Sequence, residues 1–303
     1  MKTKLIIIPA LLLLAAACQR MEQETPVTKE SENNIRTLTV QAVKGSDETK
    51  SLILVNGVEL DAYWKEDEEV KVYKEGTLLG TLKANLAQSA GLNPTSATLS
   101  GDIDVTGLNE NDELTLMLPR ENWDYTGQKG ILTGTGSIED TYDYAVATVK
   151  VDAIDGDKVT TTTTANFANQ QSIYRLVFKL SDDSTVNVKD FTLTATNDKL
   201  VQSFSYTNSA WTPTYGSLSV SLDNASTEPI FVSIRNESTA EDTYHFVITG
   251  ASGDLYLANK VIPSGALDAY GKFISATTIA TKQPEFNPAA TSGNTVDDPA
   301  III

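Results

Sequence analysis

The sequence predicts an all-β protein, two β-sandwiches in tandem. Short segments of the chain alternate between apolar and polar residues at period two. They are rich in Thr, Val, Ile and Tyr and are punctuated at close intervals by Gly, Asn and Asp turns. The chain has 303 residues, a length that commonly divides into two domains, and no stretch reads as a long helix. Period alone leaves a short apolar run ambiguous, so the β-branched and aromatic enrichment decides for strand.

The elements follow in order. Lys2 and Lys4 precede an apolar run over residues 5–14, followed by Ala15-Ala16-Ala17 and Cys18, the only cysteine. The run is shorter than the roughly 20 residues a spanning helix needs. It fits a secretory signal peptide over residues 1–17. A cysteine directly after small residues reads as a bacterial lipobox, although Ala15 stands where such boxes usually carry Leu. Cys18 is then the lipidated residue, bearing acyl chains such as palmitate, and residues 18–34 are a polar tether.

Thr37-Leu38-Thr39-Val40-Gln41-Ala42 alternates and puts Leu38, Val40 and Ala42 on one face. Leu52-Ile53-Leu54-Val55 meets Asn56-Gly57, a strong hairpin signal. Residues 69–74 alternate, and Glu75-Gly76 turns into residues 78–82. Further strands are expected at 97–105, 114–118 and 144–151, then at 173–180, 188–195, 218–222, 230–234, 244–249 and 273–279. The run Thr160 to Thr164 is the expected boundary or an edge strand. It gives an N-terminal sandwich over 35–163 and a C-terminal one over 164–283. Residues 284–303, with Pro284, Pro288, Pro299 and Ile301-Ile302-Ile303, read as a flexible tail.

Composition excludes several functions. The formal charge of −17 and the absence of a Lys/Arg cluster argue against nucleic acid and anionic lipid surfaces as partners. With Cys18 lipidated, no disulfide is available. One histidine, His245, sits in an alternating segment and is expected to face outward with Val247. Cys–His chemistry, a zinc ligand set and a Gly-x-Ser-x-Gly elbow are all missing. Asp155-Gly156-Asp157 lacks the rest of a calcium loop and reads as a turn. Glu66-Asp67-Glu68-Glu69 reads as a solvated turn, its alternative being a weak cation site. Trp64, Trp123 and Trp211 are better read as core or edge packing than as a carbohydrate platform. No enzyme, metal or cofactor is expected.

Four blocks resemble the fimbrillin family of Bacteroides-type surface lipoproteins and pilus subunits. They are S-L-I-L-V-N-G-V-E-L-D-A-Y-W through V-K-V-Y at 51–73, Leu118-Pro119 with Trp123-Asp124-Tyr125-Thr126-Gly127-Gln128 and Gly130, Phe167-Ala168-Asn169-Gln170-Gln171-Ser172-Ile173, and Val232-Ser233-Ile234-Arg235-Asn236 with residues 244–248. The resemblance spans about residues 35–283 and implies transthyretin-like sandwiches. It also implies a surface-exposed outer-membrane lipoprotein that assembles with other fimbrial subunits by β-strand donation and serves cell adhesion. A protease would remove the first strand, lined by Leu38, Val40 and Ala42. The basic residues that could mark the cut are Lys50, at the place matching the family's site, and Arg36. The donor strand would come from the C-terminal arm with Ile301, Ile302 and Ile303. The alternative is a permanently anchored surface lipoprotein that binds a glycan, a host protein or another bacterial surface.

Overall fold

A computed structural model describes residues 34–44, 53–55, 59–61, 63–87, 94–207, 210–263 and 272–284. The signal segment, Cys18, the tether up to residue 33, Lys50, the Asn56-Gly57 turn and residues 285–303 lie outside the described residues. The described residues are all-β, with twenty strands and one short π-helical turn at Ile138–Tyr142 among them.

The first ten strands are β1 (Ile35–Lys44), β2 (Ile53–Val55), β3 (Glu59–Asp61), β4 (Glu69–Lys74), β5 (Thr77–Asn85), β6 (Ser96–Asp104), β7 (Glu113–Leu118), β8 (Trp123–Asp124), β9 (Ala145–Asp155) and β10 (Lys158–Thr161). The second ten are β11 (Ala165–Asn169), β12 (Ser172–Lys179), β13 (Val188–Ala195), β14 (Val201–Thr207), β15 (Ala210–Tyr215), β16 (Leu218–Ser226), β17 (Ile230–Ile234), β18 (Asp242–Gly250), β19 (Leu255–Ile262) and β20 (Phe273–Lys282).

Eight strands form a sheet that closes on itself. The ring runs β1–β6–β5–β4–β7–β9 and returns to β1 through β10 and β11. Leu38, Val40, Val70, Val72, Leu82, Leu99, Leu114, Leu116, Val149 and Phe167 fill it. The local turns follow their sequence signals. Glu75 and Gly76 both have positive φ (47° and 82°), as the tight β4–β5 hairpin requires. Asp155-Gly156-Asp157 turns β9 into β10, with Asp155 opposite Lys158. Gly101 lies where β5 and β6 come close, and a Cβ there would sit 2.3 Å from the Thr81 carbonyl oxygen.

A seven-stranded sheet in the order β16-β13-β18-β19-β20-β12-β17 wraps the second core. Tyr174, Phe178, Phe191, Tyr244 and Phe246 are its large side chains. A small sheet, β15-β14-β8, joins Trp123–Asp124 of the chain's first half to a hairpin of its second. The described residues thus make one compact unit built on two main cores.

The sequence expectation draws a single boundary near 163, and the chain crosses it in both directions. β11, past the threonine run, completes the first sheet, whereas Trp123 and Tyr125 belong to the second core. Strands β8, β11, β14, β15 and β19 are not among the strands that the sequence predicts. Of the threonine run only Thr160 and Thr161 lie in a strand, the end of β10; they pair with β9, while Lys158 and Val159 of β10 pair with both β1 and β9.

Candidate functional site: the first strand and its slot

Strand β1 is paired along both edges. Antiparallel β6 accompanies it from Ile35 opposite Asp104 to Val43 opposite Ser96. Its other edge is shared. β10 runs parallel beside Thr37 and Leu38, and β11 runs parallel beside Ala42, Val43 and Lys44. The segment that joins the ring is therefore the one nearest the N-terminus of the fold, and its removal would leave a slot between β6 on one side and β10 and β11 on the other.

Two faces fix the register. Leu38, Val40 and Ala42 point inward and are at most 1% exposed. The outward residues make cross-strand hydrogen bonds to β6. Thr37 Oγ1 donates to Asp102 Oδ1 at 2.8 Å, and Gln41 Nε2 donates to Thr98 Oγ1 at 3.1 Å. Thr39 and Ser100 share a hydroxyl contact at 3.4 Å. A slip of one residue would bury these polar groups and expose the apolar ones.

Lys44 closes the strand's inner row, a residue that the sequence reading passed over. Its Nζ donates to Glu68 at 2.5 Å and to the Tyr63 carbonyl at 3.2 Å, and it lies 4.4 Å from the Trp64 ring centroid. Trp64 packs edge-on to Phe167 of β11. The acidic run at 66–69 is therefore not simply a solvated turn. Glu68 holds the buried lysine, and Glu66 Oε2 accepts from the Leu86 amide. The available signal was the lone cation ending an alternating row directly above an acidic turn.

The two candidate cleavage residues separate. Lys50 is outside the described residues. Arg36 lies inside β1, opposite Ile103, with its Nη1 donating to the Ile35 carbonyl. A cut after Arg36 would leave Thr37–Lys44 seated, so only a cut beyond Lys44 frees the strand.

The other sequence candidates resolve into packing. His245 faces outward, with Nε2 2.8 Å from Thr196 Oγ1 and Nδ1 2.8 Å from Asn259 Oδ1. Trp64 stays in the first core. Trp123 and Trp211 stack at 3.9 Å, and Tyr206 and Tyr73 extend that row of rings toward β4. The Trp123–Gly130 block is structural. Asp124 Oδ1 accepts from the Thr126 amide, and Gln128 exchanges two side-chain hydrogen bonds with the Ser233 backbone, at 2.8 and 2.7 Å. Among the described residues no group of His, Cys, Asp and Glu is placed to hold a metal ion. No helix among them is long and apolar enough to cross a membrane.

No family model matches the sequence, and no curated protein does. Solved structures similar to this chain are described as cell adhesion and fimbrial proteins of Bacteroides and Parabacteroides. One, provisionally described as a cell adhesion protein of Bacteroides ovatus, is 12% identical with a TM-score of 0.43; the match covers 82% of this chain and 96% of that one. A second, so described from Bacteroides uniformis, is 14% identical with a TM-score of 0.43 and coverages of 82% and 98%. A third, a fimbrial assembly protein of Parabacteroides distasonis, is 8% identical with a TM-score of 0.35 and coverages of 82% and 98%.

Proposed function

We propose that the protein is a fimbrial structural or accessory subunit, carried to the outer membrane as a lipoprotein on Cys18 and assembled by exchange of its first strand, in the service of cell adhesion. The observation that carries this reading is the placement of β1. It is N-terminal to the rest of the fold, paired on both edges, and follows directly on the segment that the lipobox would tether. Between β1 and β2 lie residues 45–52, which contain Lys50, so a single cut there separates the strand from the remainder of the chain. A vacated slot offers the unpaired edge of β6 and an apolar trough, and a strand from another subunit satisfies both.

Cys18 supplies the anchor. At roughly 0.8 kcal/mol per buried CH₂, two or more acyl chains hold a protein stably on a membrane. Cys18→Ala is expected to release the protein from the membrane fraction or to stall it as a precursor, and unchanged retention would refute the lipoprotein reading. Mass spectrometry of the N-terminus of protein taken from cells tests the cleavage. A new terminus within residues 45–52, lost together with polymer in Lys50→Ala, is expected.

A second reading keeps the strand: a permanently anchored surface lipoprotein that binds a glycan or a host protein. The buried Lys44–Glu68 pair favours it, because that pair ties β1 to the loop before β4. An intact acylated Cys18 on every molecule, with no polymer, would establish that reading over the first.

A further inference from the structure

The outer face of the second sheet carries an apolar surface that neither core nor the slot uses. Val247, Leu255, Leu257, Val261 and Ile279 are 43–56% exposed. Val247, Leu255, Leu257 and Ile279 lie close together on three adjacent strands, and the outward pair His245 and Asn259 sets Val261 apart from them. Val247 is opposite Leu257, Thr249 is opposite Leu255, and Thr243 is opposite Val261. Leu257 is also opposite Thr281 of β20, and Ile279 lies two residues earlier on the same face. Isolated exposed apolar residues are ordinary, but a contiguous row across three strands marks a covered surface.

The chain itself indicates the cover. It leaves β20 beside this patch, where the Gln283 amide donates to the Leu255 carbonyl at 2.8 Å. Beyond Pro284 follow residues 285–303, ending in Ile301-Ile302-Ile303. Those nineteen residues reach about 60 Å at roughly 3.3 Å each, whereas Leu255 to Val261 spans about 20 Å of strand. In an extended run Ile301 and Ile303 point to the same side. Charge agrees. Residues 284–303 hold Glu285, Asp297 and Asp298 and no Lys or Arg, and β12 presents Arg175 and Lys179 on the outer face beside Ser275 and Ile279, Lys179 being paired also with Asp183.

We infer that residues 297–303 dock in cis on the outer face of β18, β19 and β20, with Ile301 and Ile303 covering Leu257, Val247 and Ile279. This assigns the isoleucine run to its own subunit, whichever fate β1 has, and it competes with any use of the same run as a donor strand.

The test is photo-cross-linking of the full chain in detergent, with p-benzoylphenylalanine in place of Leu257 and, as control, in place of exposed Lys150. Equal amounts of heavy-isotope and ordinary protein are mixed before irradiation, so a link within one chain and a link between copies differ in mass. The expected product is a link from position 257 to residues 297–303 of the same chain, at least tenfold above the control. Changing Ile301, Ile302 and Ile303 together to Ser should reduce it at least tenfold, while circular dichroism stays unchanged. Links between heavy and ordinary chains, links to any other segment, or a yield no higher than the control would each overturn the inference.

Discussion

Two kinds of buried residue set the energetics of this molecule. Lys44 is 4% exposed at its side chain and its partner Glu68 22%. Breaking a buried pair by removing one partner is costly because the other charge is left uncompensated, whereas replacing both partners by apolar residues of similar volume is often neutral. Glu68→Ala should therefore destabilise by about 3 kcal/mol and the combined Lys44→Met, Glu68→Leu variant by under about 1 kcal/mol. Urea midpoints of the two variants give the comparison, and an equal loss in both would contradict the account. The tyrosines are the second kind. Burial pushes the Tyr144 and Tyr174 hydroxyls up to about 12, and burial together with the nearby Tyr174 raises Tyr244 well above its ordinary range. Unfolded tyrosines titrate near about 10. Between those values the unfolded chain has lost protons that the folded chain retains, so stability is full below pH 10 and falls as pH rises toward 12. Each such tyrosine contributes a slope of about 1.4 kcal/mol per pH unit. Denaturation midpoints from pH 9 to 12 should show the fall, and Tyr174→Phe should flatten it.

At the scale of elements, β1 takes three fully buried apolar side chains out of the first core if it is removed. Burying a Val or Leu side chain contributes about 1.5–3 kcal/mol, so Leu38 and Val40 together with the smaller Ala42 are worth on the order of 5 kcal/mol. A domain of this kind is stable by only about 5–15 kcal/mol. A chain cut within residues 45–52 and stripped of β1 should melt far below the intact protein, and a synthetic peptide of residues 35–44 should restore most of the loss. A stripped chain with unchanged thermal midpoint would show that β1 is dispensable. The inward row of β1 was legible in the sequence because its outer neighbours are polar, so the alternation is clean. β19 was not, because its outer residues Leu255, Leu257 and Val261 are as apolar as its inner ones and the period-two signal vanishes. β14 and β15 were hidden by Ser/Thr content and Pro213. The closure of the first sheet was also illegible. β10 and β11 meet β1 in parallel from far along the chain, and no local turn announces such a pairing.

An aromatic row links the two halves of the molecule, alongside Val146 of β9 packed on the second core and Arg235 donating to Gln170. Tyr73 on β4 meets Tyr206 on β14 at 5.6 Å, Tyr206 meets Trp211 at 4.6 Å, and Trp211 stacks on Trp123 at 3.9 Å. Trp123 is bound into the second core with Tyr144 and Phe204, although it arrives on the chain's first half. Sequence offered no sign of this, since rings so far apart in the chain are brought together only by β8 joining β14. Each aromatic pair contributes about 0.5–1.5 kcal/mol beyond its burial, so the row supplies a few kcal/mol of coupling. That is enough to make a chain with two cores unfold as one unit, and little enough for two substitutions to undo. The intact protein should give a single calorimetric transition whose van't Hoff and calorimetric enthalpies agree. Tyr206→Ala with Trp211→Ala should split it into two, because Tyr73 then has no ring to meet and each core melts by its own stability. Two transitions already present in the unsubstituted protein would place the coupling elsewhere, as would a single transition that survives the double substitution.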